Sequence, residues 1–366
     1  MTKYYKILRV LDYLRMNFAR ELLEWYNIYK RDLPWRRTKD PYKIWLSEII
    51  LQQTRVDQGN AYYHAFIEKY PDVFALANAD QEEVLKLWQG LGYYSRARNL
   101  HFASQEIVKL YAGNFPNDHK QVLKLKGIGE YTAAAICSIA YNQPYPVIDG
   151  NVFRVLSRVF GISAPIDTTT GKKEFKQLAE ELMHQKECGA YNQALMDFGA
   201  IQCTPKKPNC STCPFNESCY AYNNDQISVL PIKLKKIKQR ERHFHYLLLE
   251  HNDHIYLNKR REKDIWQGLY ELPLIETEKA TATKQILNNQ SIFKGNLKKN
   301  LSLCEVSKLY THQLTHQKIF AQFYWIKIAD EIEPLSPYLK VNKKDIYKFA
   351  VPKLVERYLY NWLENS

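Results

Sequence analysis

The chain has 366 residues, 45% of them hydrophobic and 25% charged, with a formal net charge of +13, enough for two domains or three that each bury a core. No apolar run approaches a membrane span, and MTKYYKILRVLDYLRMNFAR interrupts its apolar residues with Lys3, Lys6, Arg9, Asp12 and Arg15, so no signal peptide is predicted. The expectation is a cytoplasmic protein whose positive charge suits a polyanionic partner, nucleic acid first.

From residue 20 to about 225 the pattern is helix after helix. Asp40 before Pro41 reads as an N-cap with proline at the first helical position, opening PYKIWLSEIILQQTRV. Glu48 is the only charge between Lys43 and Arg55, among Ile44, Trp45, Leu46, Ile49, Ile50 and Leu51, so this helix should be buried. A carboxyl buried there has a raised pKa and keeps its proton near neutrality, as a general acid requires. The alternative is a structural Glu satisfied by backbone and by nearby Gln52 and Gln53. Asp80 opens ADQEEVLKLWQ, acid-rich in its first turn. Gly90 to Arg98, GLGYYSRAR, sets glycines, aromatics and guanidiniums at one corner. Such a corner can wedge into a base stack, or it is a helix-turn-helix with core tyrosines.

Lys124 to Cys137, KLKGIGEYTAAAIC, reads as helix, Gly-x-Gly hairpin and helix. Gly127 and Gly129 permit positive φ and close approach of backbone to a ligand, and the free N–H groups at the next helix start favour a phosphate. This helix-hairpin-helix signature grips the DNA backbone without reading sequence; a plain tight turn is the alternative. In VIDGNVFRVLSRVF, Asp149 precedes a helix expected over Asn151 to Phe160. The helix terminus favours its ionised form, and ordinary N-capping would account for it equally. Together, one carboxyl held protonated and one held charged are what glycosidic cleavage through an oxocarbenium-like state requires.

Four of the seven cysteines crowd into CTPKKPNCSTCPFNESC. Their spacing, C-x6-C-x2-C-x5-C over Cys203, Cys210, Cys213 and Cys219, has one close pair, whereas structural zinc usually takes two. The wider spread suits a cubane [4Fe-4S] cluster, with zinc as the alternative. Cys137, Cys188 and Cys304 read as small hydrophobes. Residues 231–242, PIKLKKIKQRER, carry six basic side chains and one acid and mark a linker, placed over 227–240. Beyond it HFHYLLLE, HIYLNKR, LSLCEVSKLY and KIFAQFYWIKI are strand-like runs, with helices near 280–288 and 351–364. That pattern is α+β.

These motifs jointly resemble the endonuclease III superfamily of DNA glycosylases and, within it, the adenine DNA glycosylase (MutY) family. LPWR at Leu33–Arg36, SEIILQQT at Ser47–Thr54, GLGYYSRARNL at Gly90–Leu100, the hairpin, IDGN at Ile148–Asn151 and the cysteine loop occur in the family's order. The resemblance implies a multidomain chain. Residues 1–226 would be an all-α helix-hairpin-helix glycosylase domain with an iron–sulfur loop, followed by the linker and a Nudix-like α+β domain over 241–366. Bifunctional members place a lysine after the position of Glu130; this chain has Tyr131, which cannot form an imine. Adenine mispaired with 8-oxoguanine or guanine in double-stranded DNA is the implied substrate, flipped out of the duplex before cleavage.

By the same resemblance Glu48 protonates the base, Asp149 stabilises the cationic sugar, and Tyr131 and Asn151 orient both. Trp35, Arg36, Val56 and Gln193 match adenine-pocket positions. Gln53, Thr54, Tyr93, Gly127 and Gly129 match DNA-binding ones, and Lys206 and Lys207 would offer charge to phosphate. One [4Fe-4S] cluster, a bacterial cytoplasmic setting with nucleoid association, and a monomer are implied. The run Trp266 to Pro273, WQGLYELP, resembles a Nudix signature, but ETEKATATKQILNN lacks the metal-binding glutamates, so this domain should recognise rather than hydrolyse. Leu314-Thr315-His316 stands where the family reads 8-oxoguanine with Phe-Ser-His, assigning that role to Thr315 and His316. Glu130 stands where many relatives have proline or a basic residue. Competing readings are an endonuclease III-like enzyme for oxidised pyrimidines and a non-catalytic iron–sulfur damage-binding protein.

Overall fold

A computed structural model describes residues 17–234, 239–289, 301–329 and 338–365. The N-terminal residues used to exclude a signal peptide lie mostly outside them. Two compact units form: Met1–Asn78 with Phe102–Lys235, and Ala79–His101 with Lys236–Ser366. Among the described residues no helix is long and apolar enough to cross a membrane.

The first unit is helical. Asp40 caps the Pro41–Leu51 helix, its carboxylate accepting from Tyr42 N–H at 2.9 Å, and Ile44 through Ile50 are all buried, as an apolar surface on every side demands. That helix ends at Gln52, and Gln53 turns the chain with φ 59. The Glu130–Tyr141 helix starts at Gly129 and closes on Asn142 at φ 54; the Gly150–Phe160 helix starts at Asp149 and closes on Gly161 at φ 74. Left-handed residues of this kind satisfy the last carbonyls of a helix. A π-helical turn, Phe198–Gln202, follows the Cys188–Asp197 helix and delivers the chain to the cysteine loop. The core joins Phe18, Leu22, Val152, Val155, Phe175 and Phe215 among others.

The expected linker is held at both ends. Leu230 is buried and Ile227 and Ile232 pack on the helical core. Ile166 N–H donates to Ile232 O at 3.0 Å, and Leu234 N–H to Asp167 at 3.1 Å. Arg240 to Arg242 already belong to a strand, with Arg242 buried between Asp264 and Glu276.

The second unit carries an eight-stranded sheet. Its strands are β1 (Arg240–His251), β2 (His254–Lys259), β3 (Tyr270–Glu271), β4 (Leu274–Thr277), β5 (Leu301–Val306), β6 (Tyr310–Gln313), β7 (Gln317–Ile328) and β8 (Leu339–Asn342). The order is β3-β2-β1-β7-β5, with β4 on β1, β6 on β7 and β8 on β2. β1 and β7 pair in parallel from Arg240↔Gln317 to Glu250↔Lys327. Such a central strand is covered on both faces and reads as an unbroken apolar run, here YLLL. The helices fall at Thr283–Leu287 and Lys353–Asn365, and Tyr358 of the latter stacks on Phe323 at 4.0 Å.

Ala79–His101 belongs to this unit, although its pattern continues that of the helices before it. Gln89 donates to Glu356 at 2.6 Å, Tyr270 to Glu82 at 2.9 Å, and Arg98 to the Gln267 carbonyl at 2.6 Å.

Candidate active site

A cleft of about 560 Å³ opens in the helical unit, and Glu48, Tyr131, Asp149 and Asn151 all line it. So do Trp35, Arg36, Gln53, Thr54, Val56 and Gln193. Residues spread over some 160 positions meet because the helices beginning at Val56, Glu130 and Gly150 bring their starts, and the Pro41–Leu51 and Cys188–Asp197 helices their sides, to the same space.

Glu48 is 8% exposed. Burial pushes its carboxyl up to about 7; the Tyr131 hydroxyl, hydrogen-bonded to it, pulls down, the nearby Asp149 charge pushes further up, and Arg36 pulls down. A proton is thus available at neutral pH beside a cavity large enough for a base. Tyr131 also reaches Met196 Sδ at 3.4 Å, and burial raises its own pKa well above the phenol value.

Asp149 caps its helix as position alone suggests. Val152 N–H donates to one oxygen at 2.8 Å and the Asn151 side-chain amide to the other at 2.8 Å. Burial raises its pKa, while the backbone N–H groups at the helix terminus, the Asn151 amide and the Arg154 charge act the other way and favour the ionised form. A positive charge arriving in the cleft would favour that form further. Arg154 fixes Asn151 in turn, donating to its Oδ1 at 2.7 Å, to Gly199 O at 2.6 Å and to Cys203 O at 2.8 Å.

Sequence reasoning found Arg36 but missed what holds it. Asp197, fully buried, accepts from Arg36 Nη2 at 2.7 Å and from Arg31 Nε at 2.8 Å. Burial alone would raise the Asp197 pKa, but the two guanidiniums win and lower it. Arg36 is raised above its usual value by that partner against the opposing effect of burial. The signal was a lone acid in the YNQALMDFGA helix, as conspicuous as Glu48. Gln193 is oriented by Tyr26, whose hydroxyl donates to Oε1 at 3.1 Å.

The hairpin places Gly127 at φ 80, while Gly129, expected to need the same freedom, sits at φ -102 as the helix N-cap. Open space surrounds the position a Gly129 Cβ would take, which allows close approach of a ligand. Glu130 is exposed, with Lys176 Nζ 4.0 Å away.

Cys203, Cys210, Cys213 and Cys219 line one small cavity beneath the Gly150–Phe160 helix, together with Val159, Phe198 and Tyr222. No two are joined in a disulfide. Burial, with Cys219, Cys203 and Cys210 close by, pushes the Cys213 thiol up to about 12. Burial raises the Cys210 and Cys219 thiols too, a cost that the positive charge of a metal cluster would offset. Among the described residues no group of three or more His, Cys, Asp or Glu is spaced for a single metal ion. Arg158 ties the loop down, donating to Cys203 Sγ at 3.5 Å, Thr204 O at 2.8 Å and Pro205 O at 3.1 Å.

In the second unit Tyr93 and Thr315, far apart in sequence, share a hydrogen bond between their hydroxyls. Tyr93 is exposed with φ 47, the Arg96 guanidinium 5.7 Å from its ring centre, while Tyr94 is buried, so the corner supplies one core tyrosine and one exposed one. Thr315 and His316 are exposed at the turn between β6 and β7. Glu271 of the Nudix-like signature is fully engaged: Arg260 donates to its two oxygens at 2.8 and 2.9 Å and Tyr246 at 3.1 Å.

Comparison with known proteins covers both units. Residues 46–185 match the HhH-GPD superfamily of base excision DNA repair proteins, 203–219 the iron-sulfur binding domain of endonuclease III, and 245–361 a NUDIX domain. The adenine DNA glycosylase of Buchnera aphidicola from Acyrthosiphon pisum is 31% identical over 356 residues, spanning 95% of this chain and 98% of that protein. The Arabidopsis thaliana adenine DNA glycosylase is 36% identical, across 86% of this chain and 58% of its own. The human one is 43% identical across 56% of this chain and 39% of its own. Among solved structures, a thermostable thymine-DNA glycosylase aligns with TM-score 0.55 and 33% identity, over 58% of this chain and 98% of that one.

Proposed function

The chain belongs to the adenine DNA glycosylase family, and from that premise we propose that it hydrolyses the N-glycosidic bond of adenine mispaired with 8-oxoguanine or guanine in double-stranded DNA. It is a base excision repair glycosylase with an iron–sulfur cluster domain. The observation that carries the substrate reading is the shared cleft, in which a carboxyl at about 7 faces a second carboxylate and a hydroxyl-bearing ring.

The flipped adenine enters between Trp35, Arg36, Val56 and Gln193. Glu48 passes its proton to a ring nitrogen, so the bond to the sugar breaks with its electron pair leaving on the base. Asp149 then faces the cationic sugar as a carboxylate, and the charge of the sugar favours that ionised form. Tyr131 and Asn151 hold the two carboxyls, and water adds to the cationic sugar carbon, its released proton restoring the Glu48 carboxyl. With tyrosine at position 131 no imine to the sugar forms, so the enzyme is monofunctional, and the reading as a lyase for oxidised pyrimidines loses its nucleophile.

Gln53 and Tyr93 fill or wedge the opened stack, Thr54 lies at the cleft mouth, and the Gly127–Gly129 hairpin holds a backbone phosphate. Cys203, Cys210, Cys213 and Cys219 would hold the [4Fe-4S] cluster, whose part is to order the loop carrying Lys206 and Lys207. Thr315 and His316 read the base opposite the adenine, and the second unit recognises rather than hydrolyses because ETEKATATKQILNN lacks the metal-binding glutamates. The protein acts as a monomer on the nucleoid.

A duplex with one adenine opposite 8-oxoguanine tests the reading. Incubation with protein followed by alkali should cut the adenine strand, and without alkali it should stay whole. Cutting without alkali, or no cutting at all, overturns it.

A further inference from the structure

The turn that presents Thr315 and His316 is short, exposed and held from outside. β6 and β7 are joined by Leu314, Thr315 and His316 alone, with Leu314 N–H donating to Gln317 O at 2.8 Å. The carbonyls of these three residues all meet the stretch where the chain enters β1. The Gln239 side-chain amide donates to Leu314 O at 3.2 Å and Thr315 O at 3.4 Å. Arg240 N–H donates to His316 O at 3.0 Å. Arg242 then fixes Gln317, donating to its Oε1 at 3.1 Å, and is itself clamped by Asp264 and Glu276.

Thr315 and His316 are exposed, and beside the Thr315–Tyr93 hydroxyl contact and the Gln313 amide 3.4 Å from Leu314 O the turn is fixed by what the strand entry gives its backbone. Of the three bonds from the strand entry to these carbonyls, the one from Arg240 is backbone and built into the sheet, and Arg242 acts one residue on, at the Gln317 side chain; the other two come from Gln239. Gln239 is exposed and adds only its amide fork. We propose that Gln239 is a positioning residue that sets how Thr315 and His316 are presented to the base opposite the adenine. This rests on the reading of Thr315 and His316 given above. The end of the interdomain segment is thereby the second jaw of the recognition turn. Glutamine suits it because one amide nitrogen offers two N–H groups to two successive carbonyls. A carboxylate of the same shape would repel both, and a lysine would restore a donor.

The test compares single-turnover excision of adenine opposite 8-oxoguanine and opposite guanine in the full-length, iron-loaded protein. Gln239→Leu and Gln239→Glu should lower the preference for 8-oxoguanine roughly two- to tenfold, the span of one ordinary hydrogen bond. The rate opposite guanine and the melting temperature should stay put, and Gln239→Lys should recover part of the preference. A merely structural Gln239 would move the melting temperature or both rates together, and that outcome overturns the assignment. So does an unchanged preference in Gln239→Leu when Thr315→Ala with His316→Ala erodes it. If the Thr315 and His316 variant also keeps the full preference, the recognition reading itself fails and the role of Gln239 falls with it.

Discussion

Glu48 in the helical unit and Glu271 in the sheet unit are both buried, both hydrogen-bonded by a tyrosine, and both pushed by burial to about 7. Their surroundings separate them. Glu271 is 2% exposed, its two oxygens occupied by Arg260, with Tyr246 completing the set. Glu48 faces a cleft of about 560 Å³ with Asp149 nearby and Arg36 turned toward Asp197. A raised carboxyl pKa therefore marks a site only where the proton has somewhere to go. In Glu271 the same burial serves an internal ion pair.

The same substitution at the two positions should break the symmetry most visibly. Glu48→Gln keeps shape and loses the proton, so single-turnover excision should fall by roughly 10²–10⁴-fold or more while mispair binding persists. A wild-type rate in that variant would falsify the acid assignment. Glu271→Gln should leave the rate alone.

The pH profile follows with the next largest effect. Glu48 works protonated, so excision should fall about tenfold per pH unit above about 7. The stability consequence has its own sign. A carboxyl whose folded pKa lies above its unfolded value contributes stability that is complete below 4.5 and lost as pH rises through about 7. At pH 8 the parent bears that penalty, roughly 3 kcal/mol, and Glu48→Gln does not, so the inactive variant should melt higher there. Glu271 bears the same penalty, because burial raises it to about 7 as well, but Glu271→Gln should gain less from losing it. Arg260 and Tyr246 would lose a charged acceptor, at a cost of about 1.5–3 kcal/mol. Denaturant melts of both variants at pH 8 check the unequal gains, and an equal shift would remove the distinction between the two sites.

Much of this was legible in the chain. A single acid in an apolar helix marked Glu48, four cysteines in a proline-rich loop marked the cluster site, and apolar runs marked the sheet. What escaped depends on burial or on distant partners. Asp197 signals itself as Glu48 does, but its role exists only through Arg31 and Arg36, some 160 positions away. The raised Asp149 pKa comes from its depth in the cleft, which a helix N-cap pattern does not encode. Arg242 reads as one more linker cation until Asp264 and Glu276 fold around it. Helical periodicity is the same for residues 79–101 as for their neighbours, so only tertiary packing assigns them to the second unit.

The smallest effects come from the two tyrosines, and they sharpen the comparison. The Tyr131 hydroxyl lowers the Glu48 pKa and the Tyr246 hydroxyl lowers that of Glu271, each by favouring the charged carboxylate. Removing the first hydroxyl in Tyr131→Phe should let the Glu48 pKa rise further, so the alkaline limb of the excision profile moves to higher pH. The rate on the acid side should fall only roughly two- to tenfold, because the variant retains the acid and loses one orienting hydrogen bond. Tyr246→Phe removes a 3.1 Å hydrogen bond in the sheet unit and should cost about 1 kcal/mol of stability without moving the limb. Full pH–rate profiles of the two variants separate the cases. A limb that stays in place in Tyr131→Phe would mean that the hydroxyl does not act on Glu48 in the reacting complex. A limb that moves in Tyr246→Phe would mean that the two glutamates are not independent after all.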